Sequence, residues 1–171
     1  RGLGDVYKRQ LYNAFSVLLL GVFCGPVANG LFDAGTKLVD ISQQFLKIIS
    51  RTFFPFLSRK IDKHTLFSKI YMLFTLIVTL GLIFFAPFLI PVFFSEEFSE
   101  SIKVLRLMAI SGVFLTMSNI YGTNYLIIIG RERSLRNLTM YASLLGFVIA
   151  IPLIYYGGYM GAVAILSLIH I

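Results

Sequence analysis

The sequence predicts an all-α, polytopic membrane helix bundle, and composition and charge placement support this fold class. Of the 171 residues, 57% are hydrophobic and only 13% are charged, against roughly 25% charged in an average soluble domain. The mean hydropathy is +0.84, and a soluble domain this short has too little interior to hide so much apolar surface. Lys and Arg cluster in short loops between apolar stretches, which is the pattern that sets orientation in a membrane. We therefore expect about four complete and two truncated transmembrane helices.

Six segments are candidates for these helices, since a helix needs about 20 apolar residues to span the hydrocarbon core. In chain order they lie at about 11–24, 30–58, 66–94, 101–129, 137–156 and 159–165. The first is too short to span and is expected to be the end of a truncated helix, followed by a turn at Gly25 and Pro26. Pro87 and Pro91 should kink or stop the third helix near its far end.

The two ends of the chain look foreign to this pattern. Residues 1–10 have no periodicity and run straight into an apolar stretch, and residues 166–171 stop inside one without a cap. Both resemble translated adaptor sequence, so we expect them to be non-native and exclude them from the fold. The bundle is thus predicted to occupy residues 11–165, as an internal fragment that lacks the N-terminal half of its chain.

The basic residues predict the orientation of the helices. They lie between the second and third helices and between the fourth and fifth: Arg59, Lys60, Lys63, Lys69, Arg131, Arg133 and Arg136. The connections at 25–30, 95–100 and 157–158 contain neither Lys nor Arg. Because cytoplasmic loops carry the Lys/Arg excess, the two basic loops should be cytoplasmic and the other three should face outward. His64 is expected to be solvated in the first basic loop.

Other function classes find little support. In a soluble protein, the net charge of +7 would suggest binding to nucleic acid. Here the basic residues cluster in the loops between apolar segments, where they indicate membrane orientation, so no nucleic-acid partner is expected. The single cysteine, Cys24, excludes a disulfide framework. Phosphate-binding glycine loops, metal-ligand clusters and nucleophile motifs are missing from the sequence. We therefore predict no catalytic residue, no metal and no cofactor, and we do not expect an enzyme.

The second helix carries the strongest functional signal, a polar stripe. Its members are spaced 4, 3, 4, 3 and 4 residues apart and fall on one narrow helix face: Asp33, Lys37, Asp40, Gln44, Lys47 and Arg51. The opposite side is apolar and includes Leu38, Ile41, Phe45, Ile48 and Ile49. An ionisable group that faces lipid costs about 2.5–3.5 kcal/mol at the bilayer centre on insertion scales. The stripe should therefore face a bundle interior or a water-filled pathway.

Three interpretations of this stripe remain open. It could line a hydrophilic pathway for a polar or anionic substrate, which we favour. Its charges could instead neutralise one another inside the bundle, since Asp33 and Asp40 both lie within ion-pairing reach of Lys37. The helix could also lie on the membrane surface, although the loop alternation requires it to cross.

A weaker polar face follows on the fourth helix. Gly112, Thr116, Asn119 and Thr123 are spaced 4, 3 and 4 residues apart. Uncharged polar groups on membrane helices more often hydrogen-bond to neighbouring helices than bind substrate. Helix packing is therefore the favoured interpretation, and Thr116, Asn119 and Thr123 are retained as candidate pathway residues.

Several short segments resemble the polysaccharide (O-antigen) flippases of the MOP superfamily. The sequence 28–38 is similar to the family's pattern Gly-x-Tyr/Phe-x-Ala-x-x-Lys, and 54–59 to Phe-Pro-x-x-Ser-Arg/Lys. Residues 94–98 resemble its outer loop Phe-Gly-x-Glu-Phe, with Ser95 in place of the usual Gly. Gly130-Arg131 matches a Gly–basic turn, and 156–162 resembles Tyr-Gly-x-x-Gly-Ala. The ordered set covers about 11–165 and points to the C-terminal half.

The resemblance implies a multi-pass protein of the bacterial inner membrane with two six-helix halves around a central cavity. It would move an undecaprenyl-diphosphate-linked oligosaccharide from the cytoplasmic to the periplasmic leaflet by alternating access. Lys37, Lys47 and Arg51 would supply positive potential for the diphosphate or acidic sugars. The implied partners are this lipid-linked oligosaccharide, membrane lipids, H⁺ or Na⁺ as the coupling ion, and the missing N-terminal half.

Two other functions are alternatives for a membrane protein with this sequence. A multidrug and toxin extrusion antiporter of the same superfamily would export organic cations, for which a pathway with three basic residues is a poor host. A membrane enzyme of polysaccharide assembly would need a large outer loop or an intramembrane His/Arg/Asp set, and the sequence shows neither.

Overall fold

The protein is all-α in the part of the chain that its structure, a computed structural model, describes. This part is the backbone of residues 3–169 and the side chains of 21–161 except 23, 24, 123, 143, 147, 150, 151, 158 and 159. The helices are α1 (Leu3–Arg59), α2 (His64–Phe94), α3 (Ser101–Ser118) and α4 (Glu132–Ile169). Short 3₁₀ turns at Ile61–Lys63 and Glu96–Phe98 precede α2 and α3, and a π-helix at Asn119–Leu126 extends α3.

Helix α1 is divided into two arms at Gly25. The backbone of Gly25 has φ 83° and ψ 175°, a region that is essentially restricted to glycine. Pro26 follows in the first turn of the second arm (26–59), where the missing N–H of proline does no harm. A Cβ on Gly21 would come within 2.8 Å of the Asn29 amide nitrogen, although eight residues of straight helix rise about 12 Å. The chain therefore folds back at the predicted turn.

Helix α2 runs through both of its prolines and ends at Phe94, where the sequence predicts its end. Pro87 has no N–H to donate to the carbonyl four residues earlier. That carbonyl belongs to Ile83, and it accepts a hydrogen bond from Arg106 Nε of α3 at 3.3 Å. The proline thus frees an acceptor that a side chain of the neighbouring helix uses.

Helix α4 spans two of the predicted helices. Its helical backbone continues through the predicted break at 157–158. Its parts are not collinear, because a Cβ on Gly161 would overlap the carbonyl oxygen of Leu153, eight residues earlier. The chain must bend back sharply between these two residues, and the predicted break lies within this bend. The assignment of residues 1–10 and 166–171 as non-native stays a prediction.

The core lies between the second arm of α1, α2 and α3, with a contribution from α4. One buried cluster includes Phe32, Ile90, Leu105 and Ile154. A second cluster joins Leu46, Tyr71 and Ile120. Side chains from four parts of the chain therefore meet in one packed unit.

The outward faces of these helices remain strongly apolar. Phe84 on α2 exposes 82% of its surface, and Phe88 exposes 65%. Within the described residues, the stretches Ile61–Phe94 and Ser101–Leu126 are long and apolar enough to cross a membrane. A contiguous exposed surface of this kind is typical of a membrane or protein contact rather than of a surface in water.

Candidate functional site

The polar stripe lies on the outside of the second arm of α1. Five of its six members, Asp33, Lys37, Asp40, Gln44 and Arg51, are exposed. The sixth, Lys47, is half-buried. From first to last residue the stripe covers roughly 27 Å of helix axis, close to the ~30 Å thickness of a hydrocarbon core.

The neighbouring face of the same arm packs against α3, and these contacts fix how the arm is rotated. Gly35 allows the closest approach, since a Cβ there would come within 2.6 Å of Val104. About two turns further along the arm, Gln43 Nε2 donates to the carbonyl of Gly112 at 3.3 Å. With α3 on this side, the stripe points away from it.

Mutual neutralisation is not seen between the first two charged residues of the stripe. Within the described residues, Asp33 and Lys37 do not form an ion pair, although they are one turn apart. An exposed ion pair lies elsewhere, between Lys103 Nζ and Glu100 Oε2 at 3.0 Å. The side chains of Asp33 and Lys37 are both exposed on the outer surface of the second arm.

The residues of the polar face predicted on the fourth helix differ in how deeply they are buried. Thr116 is buried and donates to the carbonyl of Gly112 at 3.1 Å, and its oxygen accepts from the Thr75 hydroxyl at 3.5 Å. The bond to Gly112 lies within α3, and the contact with Thr75 joins α2 to α3. Asn119 is half-buried. The side chain of Thr123 lies outside the described residues.

Sequence reasoning missed a buried polar layer that joins three helices. Asn124 of the π-helix donates to Ser50 Oγ of α1 at 2.9 Å. Tyr71 of α2 donates its hydroxyl hydrogen to the carbonyl of Leu46 at 2.9 Å. The seven-residue spacing of Gln43 and Ser50 marks a second polar face of α1 and could have identified part of this layer. Such hydrogen bonds commonly hold helices together in membranes.

The expectation that His64 is solvated is wrong. The imidazole is buried, its Nε2 donates to the carbonyl of Ile120 at 3.2 Å, and its Nδ1 lies 3.3 Å from the Ser68 hydroxyl. Its ring centre lies 5.0 Å from that of Tyr125. The 3₁₀ turn that precedes α2 brings His64 beneath the π-helix, so only the preceding residues of the loop remain exposed.

Comparison with known proteins gives two relatives with the same name. A "Putative O-antigen transporter" of Shigella dysenteriae is 30% identical over 160 residues, which cover 90% of this chain and 40% of the relative. A protein of that name from Escherichia coli (strain K12) is 23% identical over 156 residues, 84% of this chain and 37% of the relative. The chain spans about two fifths of the length of these curated relatives.

These matches extend over most of the chain, whereas the resemblance seen in the sequence rests on short motifs. No family model and no solved structure matches it. Both relatives are named transporters rather than enzymes. Nine tenths of the chain aligns with the Shigella protein, so the match is not confined to one helix. The chain is thus similar over most of its length to proteins named O-antigen transporters.

Proposed function

We propose that the chain forms the C-terminal half of an inner-membrane flippase that moves an undecaprenyl-diphosphate-linked oligosaccharide from the cytoplasmic to the periplasmic leaflet. In this proposal the helices form a polytopic bundle, and the second arm of α1 lines one side of a central cavity. The missing N-terminal half of the chain closes the other side. Opening alternates between the two sides of the membrane, driven by H⁺ or Na⁺.

One observation supports this proposal more than any other. The polar stripe is presented outward along a length close to that of the hydrocarbon core, while the adjacent face of the same arm is packed against α3. Six polar or charged side chains on a lipid-facing surface would be costly. If this surface lines a water-filled cavity, its side chains stay hydrated and that cost is avoided. The charged side chains can then contact a substrate inside the cavity.

The order of charges along the stripe suits an anionic substrate. The second arm runs from the outer loop toward the basic cytoplasmic loop, so Lys47 and Arg51 lie toward the cytoplasmic mouth. A diphosphate entering from the cytoplasm would meet these two cations first. The guanidinium of Arg51 presents a planar fork of donors that matches phosphate oxygens, and Lys37 extends the positive potential outward.

Complementation of a flippase-deficient bacterial strain tests the proposal. In the full-length protein, Lys47→Ala together with Arg51→Ala should abolish or sharply reduce surface polysaccharide at unchanged membrane protein level. Truncating one partner of a desolvated, hydrogen-bonded charge pair costs roughly 2–5 kcal/mol, enough to stop loading. Arg51→Lys should restore only part of the activity, because the fork is lost.

A matched control comes from the same arm. Ile48 is adjacent to Lys47, lies off the stripe and is 62% exposed, so Ile48→Ala should leave surface polysaccharide near the wild-type amount. Normal polysaccharide in the Lys47/Arg51 double variant would overturn the cationic pathway.

A further inference from the structure

An apolar groove of about 450 Å³ lies between the cytoplasmic end of α1 and the first turns of α2, on a different face from the polar stripe. Its walls are mainly aromatic. Phe53 of α1 faces Phe67 of α2 with ring centres 5.7 Å apart, and Phe67 stacks on Tyr71 at 5.3 Å. Phe56 of α1 and Phe74 of α2 also line the groove.

Cations surround one end of this groove. Lys63 is part of its lining, and Lys60 Nζ lies 6.0 Å from the centre of the Phe56 ring. Arg59 adjoins them, and all three side chains are exposed. Asp62 is the acidic residue in the same turn, so this end of the groove has an excess of positive charge.

The length of the groove corresponds to one leaflet. Lys63, the residue just before α2, and Phe74 of α2 lie eleven residues apart, which is roughly 16 Å along the helix axis, and half of a hydrocarbon core is about 15 Å. The cations would lie at the headgroup level and the aromatic walls among the acyl chains. Basic pockets between helices on the cytoplasmic side are typical sites for anionic lipid headgroups.

We propose that this groove binds an anionic phospholipid of the cytoplasmic leaflet, with one acyl chain between α1 and α2 and its phosphate beside Lys60 and Lys63. The inference rests on the membrane placement in the proposed function, but it concerns a face that the transport pathway does not use. Charge complementarity selects an anionic over a zwitterionic lipid. The one-leaflet depth favours a phospholipid over a long polyprenyl phosphate.

The 171 residues contain no Trp, so in a full-length protein whose N-terminal half has been made free of Trp, a single introduced Trp reports on its own surroundings. Phe53→Trp places the reporter in the groove, and Ile48→Trp places one outside it on the same arm. Each protein is reconstituted into phosphatidylcholine vesicles that contain increasing fractions of brominated phosphatidylglycerol or brominated phosphatidylcholine. Bromine quenches a Trp that it contacts, so the quenching curves give the relative occupancy of each lipid.

We expect phosphatidylglycerol to be favoured at the groove reporter and not at the Ile48→Trp reporter. Adding Lys60→Gln and Lys63→Gln should reduce the preference about thirtyfold, which corresponds to about 1 kcal/mol for each cation near the surface. The matched control, Arg131→Gln with Arg133→Gln, removes two cations from the other basic loop and should leave the preference unchanged.

Three results would overturn the proposal: equal quenching by both lipids at Phe53→Trp, an equal preference at both reporters, or preferential displacement of the brominated lipid by polyprenyl phosphate. The test is separate from that of transport. The Lys60/Lys63 variant keeps the polar stripe, so loss of lipid preference with normal surface polysaccharide is compatible with both proposals. Loss of polysaccharide in the Lys47/Arg51 variant tests the stripe alone.

Discussion

Two residues of the chain adopt nearly the same unusual backbone conformation. Gly25 has φ 83° and ψ 175°, and Ser95 has φ 87° and ψ 165°. This region is essentially restricted to glycine, and another residue there costs about 1–3 kcal/mol. Ser95 ends α2 at the position where the related family's outer-loop pattern has glycine. Ser95 therefore replaces glycine at a position whose backbone conformation favours glycine.

Substitutions at these two positions should have opposite effects on stability. Ser95→Gly relieves the backbone strain and should stabilise the protein by about 1 kcal/mol, whereas Gly25→Ala introduces the strain and should destabilise it by about 1–3 kcal/mol. Thermal unfolding in detergent, followed by circular dichroism, measures both. Ser95→Ala is the control for loss of the hydroxyl and should change the midpoint little. A destabilised Ser95→Gly protein would contradict this account.

What the sequence could predict at the residue scale depended on periodicity. The stripe from Asp33 to Arg51 follows the helical repeat and was identified from spacing alone. His64 has no such pattern, because its burial depends on the π-helix that lies over it. The partner of Asn124 is 74 residues away in sequence, and no local rule predicts that contact.

At the scale of the element, the second arm of α1 has one face for each neighbour. The polar stripe faces outward, Gly35 and Gln43 face α3, and Phe53 faces α2. Hydrophobic patterning predicted that this stretch is helical and which face is polar. It did not predict the packed face, because Gly35 contributes no hydrophobic side chain and Gln43 is itself polar. Small residues often mark such close approaches between helices.

Two glycines that both lie inside helices provide a test of this packing. Ala is favoured over Gly in a helix by about 1 kcal/mol, so Gly→Ala should stabilise where there is room. A Cβ on Gly81 would meet nothing within 4 Å, whereas one on Gly35 would come within 2.6 Å of Val104 and 3.0 Å of the Leu105 nitrogen. We expect Gly81→Ala to raise the unfolding midpoint and Gly35→Ala to lower it. Equal shifts would mean that α1 and α3 do not approach this closely.

At the scale of the whole molecule, composition predicted the helical class and the approximate positions of the breaks. The turn at Gly25 and the bend of α4 that includes 157–158 could be located in the sequence because Gly25-Pro26 and Gly157-Gly158 interrupt long apolar runs. The way in which the chain folds back at each break was not visible, since it depends on contacts such as Gly21 with Asn29. None of the described residues forms the opposite wall of the proposed cavity. Only the position of the polar stripe indicates on which side of the second arm of α1 that wall would lie.

The Lys/Arg distribution predicts the orientation of the bundle, and this prediction can be tested directly. In a Cys24→Ser background, a cysteine at position 97 should react with a membrane-impermeant maleimide in intact cells, while a cysteine at 133 should react only after the membrane is opened. Glu97 and Arg133 are both exposed, which makes them better sites than the buried His64. A cysteine in place of Lys60 should behave like the one at 133, because both loops are predicted to be cytoplasmic. Labelling at 133 in intact cells would reverse the orientation and place Lys47 and Arg51 at the wrong end of the pathway for loading from the cytoplasm.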